Sequence, residues 1–277
     1  MKGDAAVTHL RVRCFDLGGS GLKSCVFENG TLTTQVCQLG RSPTGDIASW
    51  IRSSVSTLAS ECLDGYIFSF SLAGMDKLAD SRAKIPVDRD PQSVARLFGL
   101  NENAVFTLND GDAHLRAAQT RIDPKMLPHV NWSVGTGVGV GLRSSDGTIA
   151  TESQLHKALG IAPWDISTRS TATNKAAWFA LANEGWKELC RLDPEHASSR
   201  FERRWDKFLC EEFLPRLIRS GCETPKLITF TGGVLDHNAI CVDVRCLGTA
   251  TIQRGPSNAG LLGAWINATD CIVGDVR

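Results

Sequence analysis

Short apolar runs separated by helical stripes set the rhythm of this chain. In its first part the runs predict strands over 11–16, 22–28, 32–39, 65–71 and 104–109. Helical spacing predicts helices over 46–62, 91–98 and 112–120. In the first helix, Asp46 suits the N-cap, and Ile47, Trp50, Ile51, Val55 and Leu58 follow on one face. The runs at Tyr66–Phe70 and Val105–Leu108 read as buried strands.

Asp123-Pro124 through Pro128 breaks this pattern, and a similar order then restarts. Strands are expected over 130–134 and 138–143, with a turn at Asp146-Gly147. Two long stripes follow, one through Trp178, Leu181, Ala182, Trp186 and Leu189, the other through Phe201, Trp205, Phe208, Leu209, Phe213 and Leu217. Such stripes read as packing surface. Leu227–Phe230 reads as a strand, and a strand near 240–246 and a helix near 257–268 close the chain. Two halves of like element order suggest a duplicated α/β unit, with lobes at 1–121 and 122–277. The last helix is expected to pack back on the first lobe. An interlobe cleft would be the natural place for a small ligand.

Composition narrows the partners. Lys+Arg and Asp+Glu both total 30, so the formal net charge is zero, and nothing favours nucleic acid or an anionic membrane. The basic cluster Arg200, Arg203, Arg204 and Lys207 is interleaved with Glu202 and Asp206 and reads as a solvated helix face. No apolar run is long enough for a membrane span, and the start lacks a signal-peptide core. The ten cysteines include no Cys-x-x-Cys pair. They read as buried free thiols in a reducing, cytoplasmic compartment, and their spacing argues against zinc.

Four glycine-rich stretches carry the candidate chemistry. In Asp16-Leu17-Gly18-Gly19-Ser20-Gly21-Leu22-Lys23, a strand–turn–strand hairpin has an acid at its entry and a lysine at its exit. Consecutive glycines let backbone N–H groups turn toward an anion. Asp16 could hold a hydrated magnesium ion, and Ser20 and Lys23 could bond phosphate oxygens. An ordinary hairpin with a solvated Asp and Lys is the alternative. Gly135-Thr136-Gly137-Val138-Gly139-Val140-Gly141 runs from strand to strand. It therefore fails the dinucleotide fingerprint, which needs a following helix. No Gly-Lys-Ser/Thr sequence exists for a P-loop. A second phosphate hairpin, or a strand pale enough for close packing, remains. Gly232-Gly233 stands where a strand meets a turn, and reads either as an ordinary turn or as a site that admits a flat group such as a nucleobase or ribose. Gly260-Leu261-Leu262-Gly263 opens the last helix and would allow close packing. Between the hairpins, Asn109-Asp110-Gly111-Asp112 sits at a strand-to-helix junction. Asp112 suits the helix N-cap or first turn, and Asp110 is either a turn residue or a general base.

In this order, Asp16…Lys23, Asn109-Asp110, Gly135-Thr136-Gly137, Gly232-Gly233 and Asn258-Ala259-Gly260-Leu261 resemble the sugar kinases of the actin-like ATPase superfamily. The nearest likeness is to the ROK family, which includes glucokinases. Ser71-Leu72-Ala73-Gly74-Met75-Asp76 also looks like that family's loop after its fourth strand. The resemblance implies a two-lobed α/β fold of duplicated ribonuclease H-like domains. It implies that Asp16 coordinates magnesium directly or through water, and that Gly18, Gly19, Ser20 and Lys23 face the phosphates of ATP. Gly135, Thr136 and Gly137 would hold the other side of the phosphate chain, and Gly232 and Gly233 would border the adenosine. Asn109 and Gly74 would contact the sugar, and Asp110 would be the base.

One region departs from the family. Its Glu-x-Gly-His motif is replaced by Glu152-Ser153-Gln154-Leu155-His156, and the zinc-binding cysteine cluster is missing. Glu152 and His156 remain candidate sugar contacts, and no zinc is expected. The function implied is ATP-dependent phosphorylation of a small sugar or amino sugar. The alternative is a sugar- or nucleotide-binding regulator that keeps the fold without catalysis. A small sugar is the expected partner, with homodimerisation left open.

Overall fold

The computed structural model describes residues 10–18, 21–40, 47–60, 65–73, 90–120, 122–150, 155, 180–236 and 250–275. These divide into two compact units. One runs through residue 109 and includes Gly260–Arg277; the other takes in Asp110–Ala259.

In the first unit, β1 (Arg11–Gly18) and β2 (Gly21–Glu28) form an antiparallel hairpin. Two short strands, β3 (Thr31–Leu32) and β4 (Cys37–Gly40), pair with β2. They replace the single strand expected over 32–39. The reason lies in Thr33 and Thr34: both their hydroxyls bond the backbone of Val26, which takes over from the ladder there. Helix α1 (Ile47–Ser60) then leads to β5 (Ile67–Leu72), and α2 (Pro91–Phe98) leads to β6 (Val105–Asn109). Asp90 caps α2 through the Ser93 amide at 2.8 Å. Both β5 and β6 run parallel to β1, giving the order β3-β2-β1-β5-β6. The N-cap expected at Asp46 lies outside the described residues.

The two faces of this sheet differ in chemistry. Phe15, Leu17, Phe68, Phe70 and Leu72 share one core with Ile51 and Val55 of α1 and Val94 and Phe98 of α2. The other face carries Cys14 and Asp16 on β1 and Ser69 and Ser71 on β5, and the last helix of the chain covers it. There Phe27 stacks on Trp265, and the Ser69 hydroxyl donates to the Ala264 carbonyl at 2.6 Å.

The second unit begins with α3 (Asp110–Gln119), two residues earlier than its spacing indicates. Strands β7 (His129–Val134) and β8 (Val138–Arg143) form the second hairpin, with β9 (Ile149–Ala150) at its outer edge. Helices α4 (Asn183–Leu192) and α5 (Ala197–Lys207) follow. A π-helical stretch, Phe208–Phe213, then joins α5 to α6 (Leu214–Arg219). Pro215 has no N–H to donate back along the helix, which accounts for the widened turn before it. Trp132 sits edge-on to Trp205, Phe208 and Phe213, so the second aromatic stripe is core, as its spacing indicates.

Strand β10 (Leu227–Thr231) runs parallel to β7, the short helix α7 (Gly233–Asp236) follows it, and β11 (Thr251–Arg254) runs parallel to β10. The strand expected near 240–246 lies outside the described residues. Edge strand β11 has little apolar alternation to announce it. Helix α8 (Ala259–Asp275) ends the fold and extends past the expected 268. The two sheets therefore repeat one plan. Each has a glycine-turned hairpin whose first strand is followed by two parallel neighbours, β1-β5-β6 in one unit and β7-β10-β11 in the other.

Among the described residues, the cysteines depart from expectation at Cys210. Cys14, Cys25, Cys37, Cys190, Cys222 and Cys271 are free thiols, whereas Cys210 is disulfide-bonded. Cys14 and Cys25 face each other across the first hairpin. Burial pushes the Cys25 thiol up to about 12 and the Cys14 thiol well above its ordinary value, so neither supplies a thiolate at neutral pH.

Candidate active site

In the first unit, the parallel strands end where the polar residues of interest begin. Open α/β sheets bind ligands beyond the carboxyl ends of their strands. Register places Asp16 of β1 beside Ser71 of β5, and Leu72 of β5 beside Asn109 of β6. At about 4.8 Å between strands, Asp16 and Asn109 lie roughly 10 Å apart along this edge. Asp110 follows Asn109 directly and opens α3, where its Oδ1 accepts the Gly111 amide at 2.9 Å. The first turn of a helix suits a carboxylate, because unsatisfied N–H groups point toward it.

Asp16 is tightly placed. Its Oδ1 accepts the Ser71 hydroxyl at 3.0 Å. Across the hairpin it is paired in register with Lys23, and Gly18 is paired with Gly21. The start of α8 lies against it: a Cβ on Gly260 would sit 2.4–2.5 Å from the Asp16 carboxyl atoms. Gly260 is thus the close-packing residue its sequence suggested, and what it packs against is the candidate metal ligand. One hydrogen bond from Ser71 leaves the carboxylate most of its acceptor capacity. A hydrated magnesium ion fits such a site, since this cation usually keeps several waters and takes one or two protein carboxylates. Among the described residues no cluster of three or more His, Cys, Asp or Glu side chains could hold a metal ion.

The second hairpin turns through Gly135-Thr136-Gly137. The Gly135 amide donates to the Gly137 carbonyl, and the Gly135 carbonyl accepts the Asn183 amide at the start of α4, both at 2.9 Å. Gly135 therefore shapes the turn, and any grip on an anion falls to Thr136 and Gly137. The glycine run divides in function further along. A Cβ on Gly141 would lie 2.9 Å from Leu115 Cβ and 3.3 Å from the Gly111 carbonyl oxygen, so this glycine admits α3 against the sheet. The close-packing reading of the run holds at Gly141.

Gly232 has φ +107°, and a Cβ there would meet the Val134 backbone at 2.5–2.9 Å. The strand end at Gly232 is thereby seated on the stem of the second hairpin. A Cβ on Gly233 would meet nothing within 4 Å. The Asn258 amide donates to Asp236 Oδ2 at 3.3 Å, joining the last loop to α7.

Beneath this region lies a buried polar ladder that the sequence did not announce. The His129 ring Nε2 is 2.7 Å from Thr229 Oγ1, which donates to Asn131 Oδ1 at 2.8 Å. Asn131 Nδ2 donates to Thr231 Oγ1 at 3.2 Å, and Thr231 Oγ1 is 2.8 Å from His114 Nδ1 on α3. The Thr229 proton is spent on Asn131, so His129 must donate from Nε2. Burial first, and the Arg143 guanidinium second, push His129 down to about 4, which keeps the ring neutral.

Of the sequence-derived site residues, Asp16, Gly18 and Lys23 are brought together in one unit, as are Gly135, Thr136, Gly137, Gly232 and Gly233 in the other. Asn109 and Asp110 stand at the junction of β6 and α3. Gly19, Ser20, Gly74, Glu152 and His156 lie outside the described residues. Ser71 was legible only as part of a loop motif, and its contact with Asp16 follows from parallel pairing of β1 and β5.

No protein-family model matches this sequence, and no curated protein is detectably similar to it. Solved structures are more informative. An inorganic polyphosphate/ATP-glucomannokinase from Arthrobacter sp. strain KM shares 17% identity at a TM-score of 0.62, over 94% of this chain and 98% of that one. A ROK hexokinase from Thermus thermophilus shares 17% at 0.60, over 96% and 100%. A ROK-family glucokinase from Streptomyces griseus, solved with glucose and AMPPNP, shares 16% at 0.56, over 94% and 99%. The chain has a mixed α/β fold of the actin-like ATPase class. Within that class, its fold is that of the ROK sugar kinases.

Proposed function

We propose that this protein transfers the γ-phosphoryl group of ATP to a hydroxyl of a small sugar or amino sugar. The observation that carries the reading is the row of polar residues at one sheet edge, Asp16 beside Ser71 and Asn109 beside Leu72, with Asp110 next in the chain. The fold supports it, because similar structures include enzymes described as acting on sugars with ATP, one of them solved with glucose and AMPPNP.

The roles are those that the resemblance implies. Asn109 orients a sugar hydroxyl. Asp110 accepts that hydroxyl's proton as the oxygen attacks the γ-phosphorus; the bond to the β,γ-bridging oxygen breaks, and ADP leaves with the electron pair. Lys23, Gly18 and the hairpin residues Gly19 and Ser20 bind phosphate oxygens, with Thr136 and Gly137 as a second grip. Gly232 and Gly233 lie against the adenosine. Glu152, His156 and Gly74 contribute to the sugar site. Magnesium held at Asp16 would neutralise charge on the phosphates. We assign the phosphate and base residues to a lobe spanning 1–121 and the second grip to one spanning 122–277. None of the described helices is long and apolar enough to cross a membrane.

The test is ADP release with Mg-ATP across a panel of hexoses and amino sugars. Asp110→Asn is expected to lower kcat by about 10²- to 10⁴-fold, the usual worth of a general base, while nucleotide affinity stays unchanged. Background release with every sugar, alongside stabilisation by sugar but not by Mg-ATP, would instead point to a non-catalytic sugar-binding protein.

A further inference from the structure

The buried pair His114 and Thr231 has no part in the roles above, yet it lies between two of them. His114 is four residues after Asp110 on α3, so both lie on one side of the helix, a turn apart. Thr231 is the last residue of β10, directly before Gly232-Gly233. The His114 ring is 8% exposed and Thr231 1%, and their side chains meet at 2.8 Å. We propose that this hydrogen bond is a positioning device: it sets the first turn of α3, which carries Asp110, against the glycine turn that lies on the nucleotide side. The inference rests on the kinase reading of Asp110 and Gly232-Gly233.

Three observations support it. First, the Thr231 side chain is held on both sides. Its hydroxyl lies among His114, Asn131 and the Trp132 carbonyl, while its methyl lies so close to Gly255 that a Cβ there would meet it at 2.4 Å. A group gripped this way transmits position instead of absorbing it. Secondly, the bond survives either neutral tautomer of His114, because a hydroxyl can donate to Nδ1 or accept from it. Thirdly, the far end of the same ladder is rigid: His129, Thr229 and Asn131 are fully or almost fully buried and bonded in series. The contact between α3 and β10 is therefore a fixed polar joint.

Two substitutions at one position separate the joint from ordinary packing. Thr231→Val keeps the methyl and the branched shape but replaces the hydroxyl with a second methyl. Thr231→Ser keeps the hydroxyl and removes the methyl beside Gly255. If the bond positions Asp110, Thr231→Val lowers kcat at least tenfold with sugar and nucleotide KM nearly unchanged, since misplacement of about 1 Å costs on the order of 10²-fold. Thr231→Ser then retains most of the turnover despite its packing defect. In the ligand-free protein, amide exchange should quicken over 110–114 and 232–236 together in Thr231→Val, and not in β5 or α8. Combining Thr231→Val with His114→Ala should cost no more than either alone. The proposal is overturned by equal kcat in Thr231→Val and wild type, by Thr231→Ser losing as much as Thr231→Val, or by unchanged exchange in both segments. Failure of the kinase reading is seen separately, as absent sugar-dependent ADP release by the wild-type protein, and the positioning role falls with it.

Discussion

Gly260→Ala tests the seating of Asp16 most directly. The added methyl would start 2.4–2.5 Å from the carboxyl carbon and both oxygens of Asp16, where ordinary contact begins at 3.4 Å. About 1 Å of displacement is therefore forced. The obstacle is the tip of a side chain with two rotatable bonds, while α8 is held by the Ser69–Ala264 bond and the Phe27–Trp265 stack. The carboxylate is the part that moves. Its departure loses the Ser71 bond, worth about 1 kcal/mol net, and the alanine returns up to about 1 kcal/mol of helix propensity. Stability should change little, within roughly 4 °C of Tm for a chain of this size. Function should not be spared: a metal ligand moved by about 1 Å predicts a fall on the order of 10²-fold in kcat, and weaker Mn²⁺ binding in the presence of nucleotide. Turnover by ADP release, Mn²⁺ binding by electron paramagnetic resonance and Tm by calorimetry are the measurements. Wild-type turnover would refute the role given to Asp16. A large drop in Tm would refute the claim that the side chain yields before the helix.

Two further outcomes follow from the second unit. Gly141→Ala should destabilise by about 1–3 kcal/mol in urea denaturation, because the methyl would meet Leu115 Cβ at 2.9 Å in a closed core; an unchanged midpoint would mean that α3 is not seated through Gly141. His129 is neutral in the fold to about pH 4 but takes up a proton near pH 6.5 when unfolded, so the unfolded state binds more protons between these values. Stability is complete above about pH 6.5 and declines by about 3 kcal/mol as pH falls toward 4. In His129→Gln, which keeps a donor for Thr229 but does not titrate, this part of the pH dependence of Tm should vanish; an identical profile in wild type and variant would exclude His129 as its source.

Local pattern carried much of this protein. Apolar runs mark β1, β2, β5, β6, β7, β8 and β10 because these strands are buried on at least one face, and burial selects the residues. Glycine turns are legible for the same kind of reason, since a tight turn restricts which residue can stand there. Edge strand β11 is nearly silent, because Thr251, Gln253 and Arg254 face solvent and nothing selects for alternation. The break between β3 and β4 is hidden as well, since it depends on hydroxyl groups that could equally have pointed outward.

By itself the sequence determined the candidate chemistry: which carboxylates stand beside glycine turns, and the repeated order of elements that makes the halves alike. It could not determine which residues meet across strands and helices far apart in the chain. Ser71 reaches Asp16 through parallel pairing, Gly260 presses on Asp16 from 244 positions further along, and His114 finds Thr231 across 117. Such contacts are selected by the packing of whole elements, and no local period records them. Tertiary structure alone therefore decided how Asp16 is held, which glycines turn the chain and which admit a helix, and that the helix of Asp110 is bonded to the strand that ends just before Gly232.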